Sequence, residues 1–215
     1  MVAARVLKEK LIAIVRGMEA EAVLPLAEAL YAGGIRLIEV TFDLRSEKQD
    51  ATTQAIRAIK SHFGMDVSVG AGTVISPALV DLAYEAGAEY IISPNVEEAV
   101  ISHTKALGLI SMPGALTPSE CLAAHNAGAD FIKLFPATAM GPAYLKAITA
   151  PLSHMKFLAV GGIDEKNITA FKKAGAVGFG VGGNLVNKEW IQERAWGRIT
   201  DLARVMVDLC KDEGN

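Results

Sequence analysis

The sequence predicts a compact (β/α)₈ barrel, and three observations carry that prediction. Eight short apolar runs recur about every 20 to 30 residues along the chain. Segments with helical spacing lie between them, the pattern of a parallel sheet covered by helices rather than of hairpins. Four of those segments close on the same punctuation, in "YAGGIRLIEV", "YEAGAEYIIS", "HNAGADFIKL" and "KKAGAVGFGV", as if one βα unit were used repeatedly.

The runs in order are LIAIVR (11–16), RLIEVTF (36–42), DVSVGAG (66–72), EYIISP (89–94), LISMPG (109–114), DFIKLFP (130–136), KFLAVGG (156–162) and VGFGVGG (177–183). Each is short, near-continuously apolar and bounded by turn residues, as a strand buried on both faces requires. The first connecting segment, AVLPLAEALYAGG, places Leu24, Ala27 and Leu30 on one face before Gly33 stops the turn. Eight such units in 215 residues leave almost no room for insertions, near the lower end of this fold's length. A doubly wound open sheet is the alternative, but it rarely needs eight uninterrupted units. No Pro-, Gly- or Ser-rich linker divides the chain, so residues 1–215 read as one domain.

Composition narrows the partners. The chain is 51% hydrophobic with mean hydropathy +0.31, ample for a large core. Its 21 basic and 24 acidic residues are scattered and sum to −3, so neither nucleic acid nor an anionic membrane is expected, and a small molecule is the better partner. The N-terminal "MVAARVLKEKLIAIVRG" has lysines before a short apolar stretch, but Arg16 interrupts it and no cleavage signature follows, so the protein is expected in the cytoplasm. Cys121 and Cys210 have neither disulfide nor metal spacing and read as reduced core thiols. His62, His103, His125 and His154 fall on helices or in loops before strands, and no metal cluster can be assembled from them.

Barrel active sites lie at the carboxyl ends of the strands, which here carry Arg16, Glu39, Thr41, Thr73, Ser93, Lys133 and two glycine pairs. Lys133 stands inside an apolar run, "ADFIKLFPAT". Alternation puts Phe131, Lys133 and Phe135 on one face, Ile132 and Leu134 on the other, and an inward lysine avoids an unpaired charge among the helices. Desolvation there lowers an ammonium pKa and leaves an amine able to attack a carbonyl. A lysine buried only along its stem, or paired with Glu39 as a structural ion pair, is the other reading. Glu39 shares a face with Leu37 and Thr41, where a partly desolvated carboxylate can shuttle protons or simply make a salt bridge. "VGAGTV" (69–74), "LAVGGI" (158–163) and "GVGGNLV" (180–186) offer backbone N–H groups to an anion, or serve close packing. Arg16 can fork onto a carboxylate or take a surface role.

Together "IVRG", "GGIRLIEVTF", "VGAGTV", "IISPN", "MPGALTPSE", "FIKLFPA" and "VGGI" resemble the 2-keto-3-deoxy-6-phosphogluconate and 4-hydroxy-2-oxoglutarate aldolase family, class I aldolases on a small (β/α)₈ barrel. The match runs in order from about residue 5 to residue 190. The resemblance implies that Lys133 forms the Schiff base and Glu39 transfers protons. It implies that Arg16 and Thr73 hold the pyruvyl carboxylate region and that Pro94 and Phe135 wall the pocket. It assigns the distal phosphate to Gly161, Gly162, Gly183 and Asn184. It also implies a homotrimer that acts on a keto acid and pyruvate with no cofactor. Three positions depart from the family pattern: Asp43 stands where many members have arginine, with Arg45 two residues on, Val160 replaces threonine before the glycine pair, and Asn184 replaces serine.

Reversible retro-aldol cleavage of a 2-keto-3-deoxy sugar acid is therefore the expected activity. An isomerase or epimerase using Glu39 without a covalent lysine, and a non-catalytic binding relative, are the competing expectations.

Overall fold

The computed structural model describes residues 2–46 and 49–211. Among them are nine strands: β1 (Leu11–Val15), β2 (Leu37–Thr41), β3 (Ser68–Gly72), β4 (Tyr90–Ile92), β5 (Ile110–Met112), β6 (Gly114–Ala115), β7 (Ile132–Leu134), β8 (Phe157–Val160) and β9 (Gly178–Val181). All pairings are parallel, in the order β5-β4-β3-β2-β1-β9-β8-β7-β6. The two ends of that order, β5 and β6, are halves of one stave interrupted at Pro113, which has no N–H to give a ladder. The carbonyl of Pro113 still accepts from Lys133 N at 2.9 Å, so the ring closes through the interruption. Eight staves thus form a closed (β/α)₈ barrel, and the doubly wound alternative falls away.

The helices are α1 (Val2–Glu9), α2 (Ala20–Ala32), α3 (Asp50–Phe63), α4 (Pro77–Glu85), α5 (Glu98–Ala106), α6 (Pro118–Asn126), α7 (Ala137–Thr149), α8 (Ile168–Lys173), α9 (Lys188–Gln192) and α10 (Trp196–Cys210). The repeated Ala-Gly punctuation is a recurring helix stop. After α2, Gly34 (φ +97°) donates to Tyr31 O and Ile35 to Leu30 O; after α4, Gly87 (φ +94°) and Ala88 repeat the pair. Only glycine enters that left-handed turn without strain, and the chain then passes directly into the next strand. Pro77 and Pro118 start α4 and α6, each behind a side-chain N-cap from Ser76 or Thr117.

Two apolar cores result. Outward positions such as Ile38, Val40, Ile132 and Leu134 pack against the helices, while Ile12, Leu37, Tyr90, Met112, Phe131 and Leu158 fill the barrel. α1, which the sequence reading did not assign, adds Val6 to the interior cluster, with Val2, Ala3 and Leu7 against it, and so covers the amino-terminal mouth. No helix of the described residues is long and apolar enough to cross a membrane.

Cys121 and Cys210 are buried free thiols, their pKa values pushed up by burial to about 11 and about 12. His62, His125 and His154 are exposed, and half-buried His103 contacts Asp81 at 2.6 Å.

Candidate active site

A cavity of about 580 Å³ opens at the carboxyl ends of the strands, and the ten residues that the resemblance assigned to the site line it, whereas Thr41 and Ser93 do not. At its floor stand Lys133 on β7 and Glu39 on β2. Both face inward as alternation requires, since their neighbours Ile132, Leu134, Ile38 and Val40 belong to the outer core. Lys133 is 7% exposed and Glu39 2%.

Burial dominates the electrostatics of both groups. It lowers the Lys133 pKa against the opposing pull of the Glu39 carboxylate, with Arg16 lowering it further. It raises the Glu39 pKa, against Lys133 and Arg16, which favour the carboxylate. The two groups make no contact ion pair among the described residues, and the Lys133 ammonium nitrogen sits 4.6 Å from the centroid of the Phe135 ring. An amine and a carboxyl that are both pushed toward their neutral forms suit nucleophilic addition and proton transfer better than a structural salt bridge.

Room for these groups comes from glycine. A Cβ built on Gly72 would lie 1.8 Å from Glu39 Oε1, and one on Gly70 would lie 2.2 Å from the Tyr90 ring. The "VGAGTV" stretch, read as an anion cradle or as close packing, takes the packing role at its two glycines: it admits Glu39 and Tyr90 to the barrel. The residue after it, Thr73, is held at φ +60° on the cavity wall, a left-handed conformation that a β-branched residue adopts only under constraint.

Arg16 follows β1 at the mouth and is exposed, with no hydrogen-bond partner among the described residues, so its guanidinium is available to a ligand. Arg45 is not. Asp43 clasps it through two side-chain hydrogen bonds of 2.9 Å, which hold the Asp43 carboxyl down at about 2, and neither residue lines the cavity.

At the other end, Gly161 and Gly162 follow β8 with φ of +98° and +76°. Their carbonyls are occupied: Thr138 Oγ1 donates to Gly161 O at 3.0 Å and Asn167 Nδ2 to Gly162 O at 2.9 Å. The backbone N–H groups of Gly162, Gly183 and Asn184 donate to no acceptor among the described residues. Gly182 O accepts from Leu185 and Val186, so one turn of helix orients the amides of 183 and 184. Asn184 itself bridges two loops, its Nδ2 donating to Ile163 O at 2.8 Å.

The sequence reading missed Ile14 and Lys188 on the cavity wall and quoted Ile163, Gly180 and Val186 only within the glycine stretches. Ile14 was accessible from the alternation Ile12, Ile14, Arg16. Lys188 was not, because it opens α9, a short helix that the sequence reading did not assign.

Comparison with known proteins agrees with this geometry. The family model "KDPG and KHG aldolase" matches residues 2–202. The chain is 36% identical over 179 residues to a 2-dehydro-3-deoxy-6-phosphogalactonate aldolase of Escherichia coli strain K12, covering 83% of this chain and 85% of the relative. It is likewise 36% identical over 193 residues to the KHG/KDPG aldolase of the same strain, covering 89% and 87%. Among solved structures, a KDPG aldolase from Legionella pneumophila, described with pyruvate captured as a covalent carbinolamine, superposes with a TM-score of 0.83 at 32% identity, over 95% of this chain and 97% of that one. With its barrel, its buried lysine and carboxyl, and a match along nearly its whole length, the chain belongs to the KDPG and KHG aldolase family.

Proposed function

We propose that residues 1–215 act as one barrel domain that reversibly cleaves a 2-keto-3-deoxy sugar acid, phosphorylated at its far end, into pyruvate and an aldehyde through a Schiff base on Lys133. One observation carries the reading: an almost fully buried lysine, shifted toward its neutral amine, on the floor of the same cavity as a carboxyl shifted toward its neutral acid.

The neutral Nζ of Lys133 attacks the keto carbon, and a proton moves from nitrogen to oxygen to give a carbinolamine. Glu39 in its acid form protonates the hydroxyl, water leaves, and a protonated imine forms. The Glu39 carboxylate so produced takes the proton of the C4 hydroxyl. The C3–C4 electron pair then flows toward the iminium, the aldehyde departs and an enamine remains. Glu39 returns its proton to C3, water adds to the resulting iminium, and the surplus proton goes back to the Glu39 carboxylate as pyruvate and the free amine are released. The Legionella relative, described with pyruvate held as a covalent carbinolamine, supports the first of these steps.

Arg16 and Thr73 flank the carboxylate end, Pro94 and Phe135 wall the reacting carbons, and the amides of Gly162 and Gly183, with Gly161, Asn184 and their loops, cradle the distal group. Val160 borders the chain's middle with a methyl surface, which weakens discrimination between epimers at the central hydroxyls. The same reading includes a cytoplasmic homotrimer, as the family resemblance implies; exposed Leu82, Tyr84 and Leu122 are apolar surface open to subunit contact, and sedimentation checks the trimer.

The test is pyruvate release from phosphogluconate-derived, phosphogalactonate-derived and 4-hydroxy-2-oxoglutarate substrates by the parent and by Lys133→Ala. The parent cleaves at least one, and the variant none. A variant that keeps more than a few per cent of the rate sinks the imine mechanism and favours an enzyme that uses Glu39 alone.

A further inference from the structure

Three cationic side chains and one carboxylate line the cavity: Arg16, Lys133, Lys188 and Glu39. Arg16 and Lys133 act on Glu39 and on each other, at the end where the keto acid's carboxylate and carbonyl belong. Lys188 stands apart from that cluster. It lies four residues beyond Asn184, on the rim that carries Gly183, and is exposed, with no hydrogen bond or ion pair among the described residues.

The other side chains around the glycine loops are committed elsewhere. Thr138, Asn167 and Asn184 donate to the carbonyls of Gly161, Gly162 and Ile163. Those bonds fix the loops and quench carbonyl oxygens that would repel an anion, but they leave Asn184 as a strut rather than a free donor. The cradle therefore offers neutral amides without a fixed countercharge, and a phosphate dianion is held far better when a cation completes its shell.

We propose that Lys188 is a specificity-determining residue that closes on the terminal phosphate of the substrate and sets the preference for phosphorylated over unphosphorylated keto acids. The proposal rests on the aldolase reading and adds this residue to it. A four-carbon stem on the rim lets the ammonium swing inward when the anion arrives and leave with the product.

The experiment compares the parent, Lys188→Met, which keeps the stem, and Lys188→Arg, which keeps the charge. For each, kcat and KM are measured on 2-keto-3-deoxy-6-phosphogluconate and on its unphosphorylated form, with pyruvate trapping by borohydride and competitive inhibition by inorganic phosphate in parallel. The Met variant is expected to lose about tenfold or more in kcat/KM on the phosphorylated acid, mainly through KM. It should stay within about twofold of the parent on the unphosphorylated acid, bind inorganic phosphate more weakly and trap pyruvate normally. Arginine should recover most of the loss. Equal losses on both substrates, or no loss on either with unchanged inhibition by phosphate, would overturn the role of Lys188 while normal trapping leaves the aldolase reading standing. A parent that traps no pyruvate overturns both.

Discussion

Glu39 occupies the space that a side chain at position 72 would need: its Oε1 lies 1.8 Å from a Cβ built on Gly72. The absence of that one carbon is what lets a carboxyl from β2 lean across β3 toward the centre of the barrel. Gly72→Ala should therefore displace Glu39 and lower kcat by about 10² or more, while imine formation at Lys133 persists at a reduced rate. Steady-state cleavage and borohydride trapping on the same preparation check this. Unchanged kcat in a folded Gly72→Ala protein would show that Glu39 does not work from this position.

The two buried ionisable groups should trade stability for activity, with opposite pH signatures. Glu39 has a raised folded pKa, so the folded state holds its proton more tightly; the stability this contributes is present at low pH and lost as pH rises from the ordinary carboxyl value through the raised one. Glu39→Gln should accordingly gain on the parent as pH rises. Lys133 has a lowered folded pKa, so the unfolded chain binds more protons up to the ordinary lysine value, and parental stability climbs with pH across that window. Lys133→Met should be more stable than the parent by about 1 to 2 kcal/mol near neutrality, an advantage that fades as pH approaches about 10. Urea unfolding from about pH 5 to about pH 10 tests both slopes. In parallel, Glu39→Gln should slow turnover by roughly 10² to 10⁴.

Tyr90 is fully buried in the barrel, and its hydroxyl has no hydrogen-bond partner among the described residues, as is also true of Thr41 Oγ1 and Glu39 Oε2. Burial and the nearby Glu39 carboxylate push its pKa well up, so it stays a neutral phenol. Removing an unsatisfied hydroxyl is neutral or stabilising, and Tyr90→Phe should shift stability by no more than about 1 kcal/mol, with gain the expected direction and kcat unchanged. A clear loss of stability would place a hydrogen-bonded partner at that hydroxyl.

The buried thiols of Cys121 and Cys210 should resist alkylation in the native protein at neutral pH, because thiolates are scarce when the pKa stands at about 11 and about 12. Thiol titration should find both sites slow in the folded state and both reactive in denaturant. Rapid native labelling of either would contradict the packing around α6 or α10.

Much of this site is legible along individual strands. A pleated strand has two faces, so once Ile132 and Leu134 are assigned to the helices, Lys133 must face the barrel; the same step places Glu39 from Ile38 and Val40. What lies between elements is not legible. Gly70 and Gly72 resemble an anion cradle until Tyr90 and Glu39 are seen filling the space above them, since glycine serves close approach to a ligand and to a neighbour equally well. Asn184 looks like a substitute phosphate donor until its amide is found on Ile163 O. Lys188 comes to the cavity at the start of α9, a helix too short to show periodicity, and the interruption at Pro113 shows only in the pairing of β5 with β4 and β6 with β7. The apolar spacing Val2, Val6 in α1 was present in the sequence, but nothing local tells that it closes a barrel end.

Peptide mass spectrometry after incubation with pyruvate and borohydride tests the Schiff base on Lys133 most directly. One reduced pyruvyl group per chain is expected, on the peptide containing Lys133, with none on Lys188 and none in Lys133→Ala. An adduct on a different lysine, or no adduct in a protein that still releases pyruvate from its substrate, would contradict it.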